Sequence, residues 1–250
     1  MSFSSIQTSL KKCSIKKGDT LMIHGDAAIA LMNGTDVNKE LKKLFDNIIS
    51  FLGKKGTLVV PAFSYSFTQG KNFSAERSPS EIGIFSEYFR KRKGVKRSNH
   101  PIFSVCSIGK NSKIFENSDT KTCFGKNTAF DILHRLSGKI VCLGCSFNRI
   151  TFAHFVEEKL KVNYRFNKKF SGFITTAGKK KFIKTNFFVR DLKFKTDLSK
   201  LKKKLINKSL LKKADYGRFE IYTVNSKDLF NIASKMVENN PYILAKKINE

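Results

Sequence analysis

"DVNKELKKLFDNIISFLGKKGTLVVPAF", residues 36–63, joins a helix to a strand within 28 residues. Val37, Leu41, Leu44, Ile48 and Leu52 recur every three to four positions, which lines one face of a helix with apolar side chains. Gly53 closes that pattern. "TLVVPAF" then runs apolar and β-branched, the signature of a short buried strand, with Pro61 suited to its end rather than its middle.

The same alternation extends in both directions. Upstream, "TSLKKCSIKKGD" predicts a helix with Thr8 as its cap and Gly18 as its end. "TLMIHG" predicts a buried strand, and "DAAIALM" a helix start capped by Asp26. Downstream, residues 64–80 read as loop. "EIGIFSEYFRKRKG" reads as a helix capped by Ser80, and "VKRSNHPIFSVCSIG" as a loop running into a strand. "GKNTAFDILHRLSG", "KIVCLGC" and "ITFAHFVEEKL" follow as helix, strand and helix.

The last third changes character. "FSGFITTAGKKKFIKTNFFVRD" alternates apolar and polar residues about an Ala-Gly turn, which predicts a β-hairpin. "DLSKLKKKLINKSLLKK" reads as a basic amphipathic helix and "RFEIYTV" as a strand. "SKDLFNIASKMVENNP" reads as a helix capped by Ser226. Strands alternating with helices predict an α/β fold, a three-layer α/β/α sandwich. The late hairpin makes its central sheet mixed and ends the chain in a hairpin plus helices. With no repeat and no Pro-, Gly- or Ser-rich linker, residues 1–250 read as one domain.

Composition narrows the partners. The chain is 40% hydrophobic, enough for a sizeable core, and its 24 phenylalanines with no tryptophan make that core aromatic. The net charge of +28 comes mostly from lysine. The joint excess of Lys, Asn, Ile and Phe is what an AT-rich genome produces, so part of this charge carries no binding message. A charge of this size still attracts polyanions: nucleic acid, anionic membrane surfaces, or a phosphate-rich cofactor such as coenzyme A. Five cysteines, an odd number in a chain this long, do not make a disulfide framework. The start lacks a signal-peptide pattern, and no run reaches 18 apolar residues. The expected location is a bacterial-type cytoplasm, with no membrane span.

Five stretches have chemical potential. In "TFAHFVEEKL", residues 151–160, His154 and Glu157 lie three apart and share one face of a helix. A carboxylate on one ring nitrogen raises the basicity of the other, which suits general-base catalysis; a plain surface pair is the competing reading. "RSNHP", residues 97–101, sets Arg97, Ser98 and His100 in a loop, where they suit a phosphate or carboxylate or serve as ordinary polar loop. "MIHGDAAIAL", residues 22–31, is a strand, turn and helix start whose backbone amides suit an anion or an oxyanion. It has no nucleotide-loop pattern. "CLGC" reads as two buried strand cysteines on opposite faces, and no metal is expected. The basic runs lack aromatic interleaving or any nucleic-acid-binding signature and read as a solvated lysine face.

Four segments in series resemble the aminoglycoside 3-N-acetyltransferase family, a coenzyme A-dependent group distinct in fold from the GNAT acetyltransferases. They are "GDTLMIHGDAAIAL", "GTLVVPAFSYSF", "GIFSEYFRKRKGVKRSNHPIFSVCSIG" and "AFDILHRLSGKIVCLGCSFNRITFAHFVEE". Their order matches too, and the likeness spans nearly the whole chain. It implies an acetyl-CoA-dependent N-acetyltransferase with no metal, a monomer or homodimer. Its acceptor would be the amine of an amino sugar or aminoglycoside.

The resemblance also implies residue roles. His154 would be the general base, Glu157 its support, and Thr151 a neighbour of the acyl group. His24, Gly25, Asp26 and Ala27 would face the cofactor, with Arg97 and Ser98 in the loop around the coenzyme A end of the cleft. His100, Ser64, Tyr65 and Asn148 would meet the acceptor. Asp26 stands where resistance enzymes usually have serine, and residues 65–80 are not rich in acids, which favours an amino sugar over a polycationic drug. The alternative from a different class is a basic nucleic-acid-binding module without turnover; an inactive relative is a third reading.

Overall fold

The computed structural model describes residues 5–32 and 34–248. Residues 1–4, part of the stretch read as carrying no leader, lie outside them. Helix α1 (Ile6–Lys12) leads to β1 (Thr20–Gly25), then a 3-10 turn over Ala27–Met32. Helix α2 (Val37–Leu52) and strand β2 (Thr57–Pro61) realise the opening stretch. Asp36 caps α2, and Gly53 ends it with a φ of 67°.

The 64–80 segment is more ordered than a plain loop. It contains a 3-10 turn and a two-residue strand, β3 (Phe73–Ser74). Helix α3 (Ile84–Arg90), strands β4 (Lys96–Arg97) and β5 (Val105–Gly109), and helices α4 (Ser112–Glu116) and α5 (Ala129–Arg135) follow. Next come β6 (Lys139–Leu143) and α6 (Phe152–Lys159), then the long hairpin of β7 (Arg165–Thr176) and β8 (Lys179–Arg190). The chain closes with β9 (Phe194–Thr196), α7 (Ser199–Asn207), β10 (Lys212–Tyr216), β11 (Phe219–Asn225), α8 (Ser226–Asn239) and β12 (Ala245–Lys247).

Seven strands form a mixed central sheet in the order β10-β11-β6-β1-β2-β5-β4. The middle three run parallel: Met22 sits opposite Val59 on one side and Ile140 on the other. Strands β11 and β5 flank them antiparallel. Alternate residues sort the core into two layers, as strand pleating requires. Leu21, Ile23, Leu58, Val60, Val141 and Leu143 pack with the apolar residues of α1, α2 and α3. Met22, Val59, Ile140 and Cys142 pack on the opposite side with those of α5, α6, α7 and α8. The sandwich is therefore three-layered, as expected.

The predicted hairpin turns at Ala177–Gly178, and its partner sheet was not anticipated: β3, β7 and β8 make a separate three-stranded sheet. Strand β10 was also missed, because Lys212 and Lys213 look like the tail of a basic helix. Helix α7 stops at Asn207, and Ser209 turns the chain with a φ of 55°. Three of the predicted caps move. Ser5, not Thr8, caps α1. Gly83, not Ser80, precedes α3. Asn225 caps α8, while the Ser226 hydroxyl donates to the Leu133 carbonyl. Among the described residues no helix is long and apolar enough to cross a membrane.

Phe45 ties the outer helices together. Its ring centroid lies 4.8 Å from those of Phe85 and Phe89, so α2 sets the seat of α3. Phe45→Ala is expected to lower unfolding stability by about 3–5 kcal/mol, read from the urea midpoint, with Phe45→Leu clearly milder.

Candidate active site

A cleft of about 450 Å³ opens beyond the C-terminal ends of β1 and β2. Open α/β sheets leave such a crevice where loops depart from strand ends. His24 and Gly25 finish β1 and line one wall. Gly25 is required there: a Cβ would sit 2.5 Å from the Phe85 ring. Asn148, Arg149 and Thr151 come from the turn after β6, His154 from α6, and Tyr65 and Glu81 from the 64–81 segment.

Helix α6 is anchored by Phe152, Phe155 and Val156, all buried. That burial aims its polar turn inward. His154 Nδ1 lies 2.7 Å from Glu157 Oε2, and the Glu157 side chain is fully buried. Two further donors reach the same carboxylate. The Tyr164 hydroxyl donates to Oε1 at 2.6 Å, and Arg165 Nη2 reaches Oε2 at 2.7 Å. Burial works against charge on Glu157, but His154, Arg165 and Tyr164 together hold its pKa below the ordinary value. A deprotonated carboxylate can only accept, so Glu157 binds a proton carried on Nδ1, and Arg165 Nη2 lies 2.7 Å from the same ring nitrogen.

Burial, and after it the positive charge of Arg165, holds the His154 pKa below 6.5 against the pull of Glu157. The imidazole is therefore neutral at pH 7 and carries a single ring proton. His24 is also neutral: burial first, then electrostatic coupling to His154 and the charge of Arg149, depress its pKa to about 4. Its Nε2 is buried without a hydrogen-bond partner among the described residues.

The structure gathers His24, Gly25, Tyr65, Asn148, Thr151 and His154 at one cleft. Asp26 and Ala27 lie just beyond it, where Asp26 accepts from the Ala28 amide at 3.0 Å. Asp26 also stands 4.0 Å from the Arg149 guanidinium. Four other expected ligand-binding residues do not line the cleft. Arg97 is buried, and its guanidinium is spent on the carbonyls of Ala62, Ala75 and Ser78 and on the Ser104 hydroxyl. The buried Ser98 hydroxyl accepts from the Val105 amide. His100 Nδ1 accepts from the amides of Ile102 and Phe103 while Nε2 faces the Thr122 carbonyl. Ser64 is buried and donates to the Pro101 carbonyl. These four build the wall behind the cleft rather than its surface.

The CxxC reading changes as well. Gly144, with a φ of 66°, follows β6, so Cys145 lies beyond the strand, and the neighbouring Cys142 thiol lowers the Cys145 pKa. Cys145 Sγ also donates to the His24 carbonyl at 3.2 Å. Among the described residues no cluster of metal ligands occurs. Tyr164 and Arg165 were missed because they lie outside the helix that carries the His/Glu spacing. One signal was available: Arg165 is an arginine in a chain that uses lysine almost everywhere.

The sequence pattern of the aminoglycoside 3-N-acetyltransferase family matches residues 29–238. A prophage-derived aminoglycoside N(3')-acetyltransferase-like protein of Bacillus subtilis is 26% identical over 180 residues. That alignment covers 62% of this chain and 64% of the relative, so just under two thirds of the relative's length is spanned. Two solved structures share the fold. Aminoglycoside acetyltransferase AAC(3)-Xa superposes with a TM-score of 0.80 at 18% identity, over 96% of this chain and 92% of its own. AAC-IIIb in a binary complex with CoASH gives 0.79 at 16% identity, over 95% and 97%.

The buried cluster makes a stability test. Glu157→Gln leaves the Arg165 guanidinium without its counter-charge in the interior, and a loss of about 3–5 kcal/mol is expected by urea unfolding. His154→Ala keeps the carboxylate with Arg165 and Tyr164 and should cost clearly less.

Proposed function

The chain belongs to the aminoglycoside 3-N-acetyltransferase family, and on that premise we propose that residues 1–250 form one acyltransferase domain. It moves the acetyl group of acetyl-CoA to the amine of an amino sugar or aminoglycoside. The observation that carries this reading is the neutral His154, lining an open cleft and held through Nδ1 by a buried carboxylate. The nucleic-acid-binding module is not favoured beside an enzyme family matched over residues 29–238.

Amines are mostly protonated at pH 7 and attack only as free bases. His154 Nε2 accepts the proton from the acceptor nitrogen as that nitrogen forms its bond to the acyl carbon. Glu157 supports the imidazolium formed. The proton then passes from His154 to the departing sulfur. Acetyl-CoA supplies the acyl group already activated as a thioester. The Thr151 hydroxyl, whose contact with the Arg149 carbonyl is a long 3.5 Å, would stabilise the oxyanion, because the Asp26 and Ala28 amides are already bonded to the Leu143 carbonyl and the Asp26 carboxylate.

The residues suit an anionic co-substrate. Arg149 is exposed at the cleft, with Asp26 no nearer than 4.0 Å, and is available to a phosphate. Arg97 and Ser98 are not available. Among the described residues Glu81 is the single carboxylate lining the cleft, and Arg149 offsets it. A balanced lining of this kind suits a singly charged amino sugar better than a polycation. The five cysteines are all free, which suits a reducing cytoplasm, and the working form is a monomer or homodimer.

The test follows thiol release from acetyl-CoA across a panel of amino sugars, their nucleotide forms and aminoglycosides. Turnover on at least one acceptor is expected, falling about 10²–10⁴-fold in His154→Ala while coenzyme A binding by calorimetry persists. Undiminished turnover in that variant, or silence with no coenzyme A binding, would overturn the assignment.

A further inference from the structure

Among the nine arginines of the chain, Arg97 and Arg165 are buried. The work of Arg97 is accounted for by carbonyls. Arg165 is different: it stands at the start of the hairpin and faces a catalytic carboxylate contributed by another element. Its Nη1 donates to the Phe188 carbonyl on β8 at 2.9 Å, which fixes the plane of the guanidinium. Its Nη2 lies 2.7 Å from Glu157 Oε2 and also 2.7 Å from His154 Nδ1.

These contacts admit two proton arrangements. In one, Nδ1 carries a proton and donates to Glu157 while Arg165 donates to the same carboxylate, which sets two N–H donors 2.7 Å apart but gives both of them one ionised acceptor. In the other, Nδ1 accepts from Arg165 and the ring proton sits on Nε2. The second arrangement sets an imidazole lone pair against a carboxylate oxygen at 2.7 Å and leaves no ring nitrogen to take a proton from an amine. Only the first gives a general base.

We propose that Arg165 is a positioning residue of the acyl-transfer site: with Tyr164 it pins the Glu157 carboxylate, so that His154 holds its proton on Nδ1 and keeps Nε2 open to the acceptor amine. The inference deepens the acetyltransferase reading and rests on it for the role of Nε2. Tyr164 holds the other carboxylate oxygen, so neither oxygen can rotate away. The hairpin thereby becomes a structural part of the active site although it lends no side chain to the cleft lining described above.

The arrangement has a consequence for pH. His154 is faced by Glu157 on its own helix, Arg165 and Tyr164 at the start of the hairpin, Arg190 on β8 and His24 on β1. His24 and Tyr164 are neutral near pH 7, so Glu157 opposes the two arginines. The Arg165 charge disfavours imidazolium. Removing it should raise the His154 pKa and move the acid limb of kcat/KM to higher pH.

The experiment uses the full-length chain. With only four histidines, the His154 ring can be assigned by nitrogen-15 NMR through its loss in His154→Ala. In the wild type near pH 7, the neutral ring should carry its proton on Nδ1. In Arg165→Gln, the titration midpoint should rise, and kcat should fall about 10²-fold through lost alignment. Arg165→Lys, which restores the charge but not the planar fork, should bring the midpoint back while recovering only part of kcat.

A wild-type ring protonated on Nε2 would overturn the proposal, and that measurement needs no variant to fold. An unchanged midpoint and kcat in a folded Arg165→Gln would overturn it equally. If the wild type turns over no amine, the acetyltransferase reading fails separately, while the tautomer and midpoint still judge the geometry.

Discussion

Burying one carboxylate is the constraint around which this molecule is arranged. Glu157 has no exposure to water, and an ionised group so placed is tolerated only when donors replace its lost hydration. The donors come from three residues on two sides of one chain reversal: His154 on helix α6, Tyr164 just after it, and Arg165 where the hairpin begins. The helix must therefore end near Lys159, and the chain must turn back at once. Helix α6 cannot shift along the sheet without stranding the carboxylate. Its apolar anchors, Phe152, Phe155 and Val156, fix the same position from the core side.

That double fixing explains why the helix and the His/Glu spacing were legible in sequence while the full cluster was not. Periodicity reports which face of an element is buried. It read α2, α6 and the core strands β1, β2 and β6 correctly because their burial repeats along the chain. It cannot report partners brought together by chain reversal, so Tyr164 and Arg165 escaped notice. Strand β10 escaped for a related reason: its lysines imitate the end of α7, and only Ala214 and Tyr216, both buried, betray the two-residue period.

Polar loop residues were the hardest to read. Arg97, Ser98, His100 and Ser64 have the chemistry of ligand-binding groups, and sequence cannot distinguish a side chain that meets a ligand from one that satisfies backbone. In the structure all four satisfy backbone, because the 62–64 and 97–105 segments cross the interior at the strand ends, where carbonyls and amides lack ladder partners. The cleft surface is left to His24, Tyr65, Asn148, Thr151 and His154, which sit where strand or helix ends release them toward solvent.

The hairpin sheet has one open side. Strand β8 pairs with β7 on its inner edge, and among the described residues its outer edge meets only the bridge from Thr122 to Asn186. Such an edge is a template for pairing with a foreign strand. Here the stretch nearest the tip reads Lys179, Lys180, Lys181 and Lys184, all exposed. An arriving copy of the same edge would have to bring these like charges within a few ångströms before its first backbone bond could form. The exposed lysines thus guard the colloidal state of the chain, opposing the stacking of folded copies at this edge.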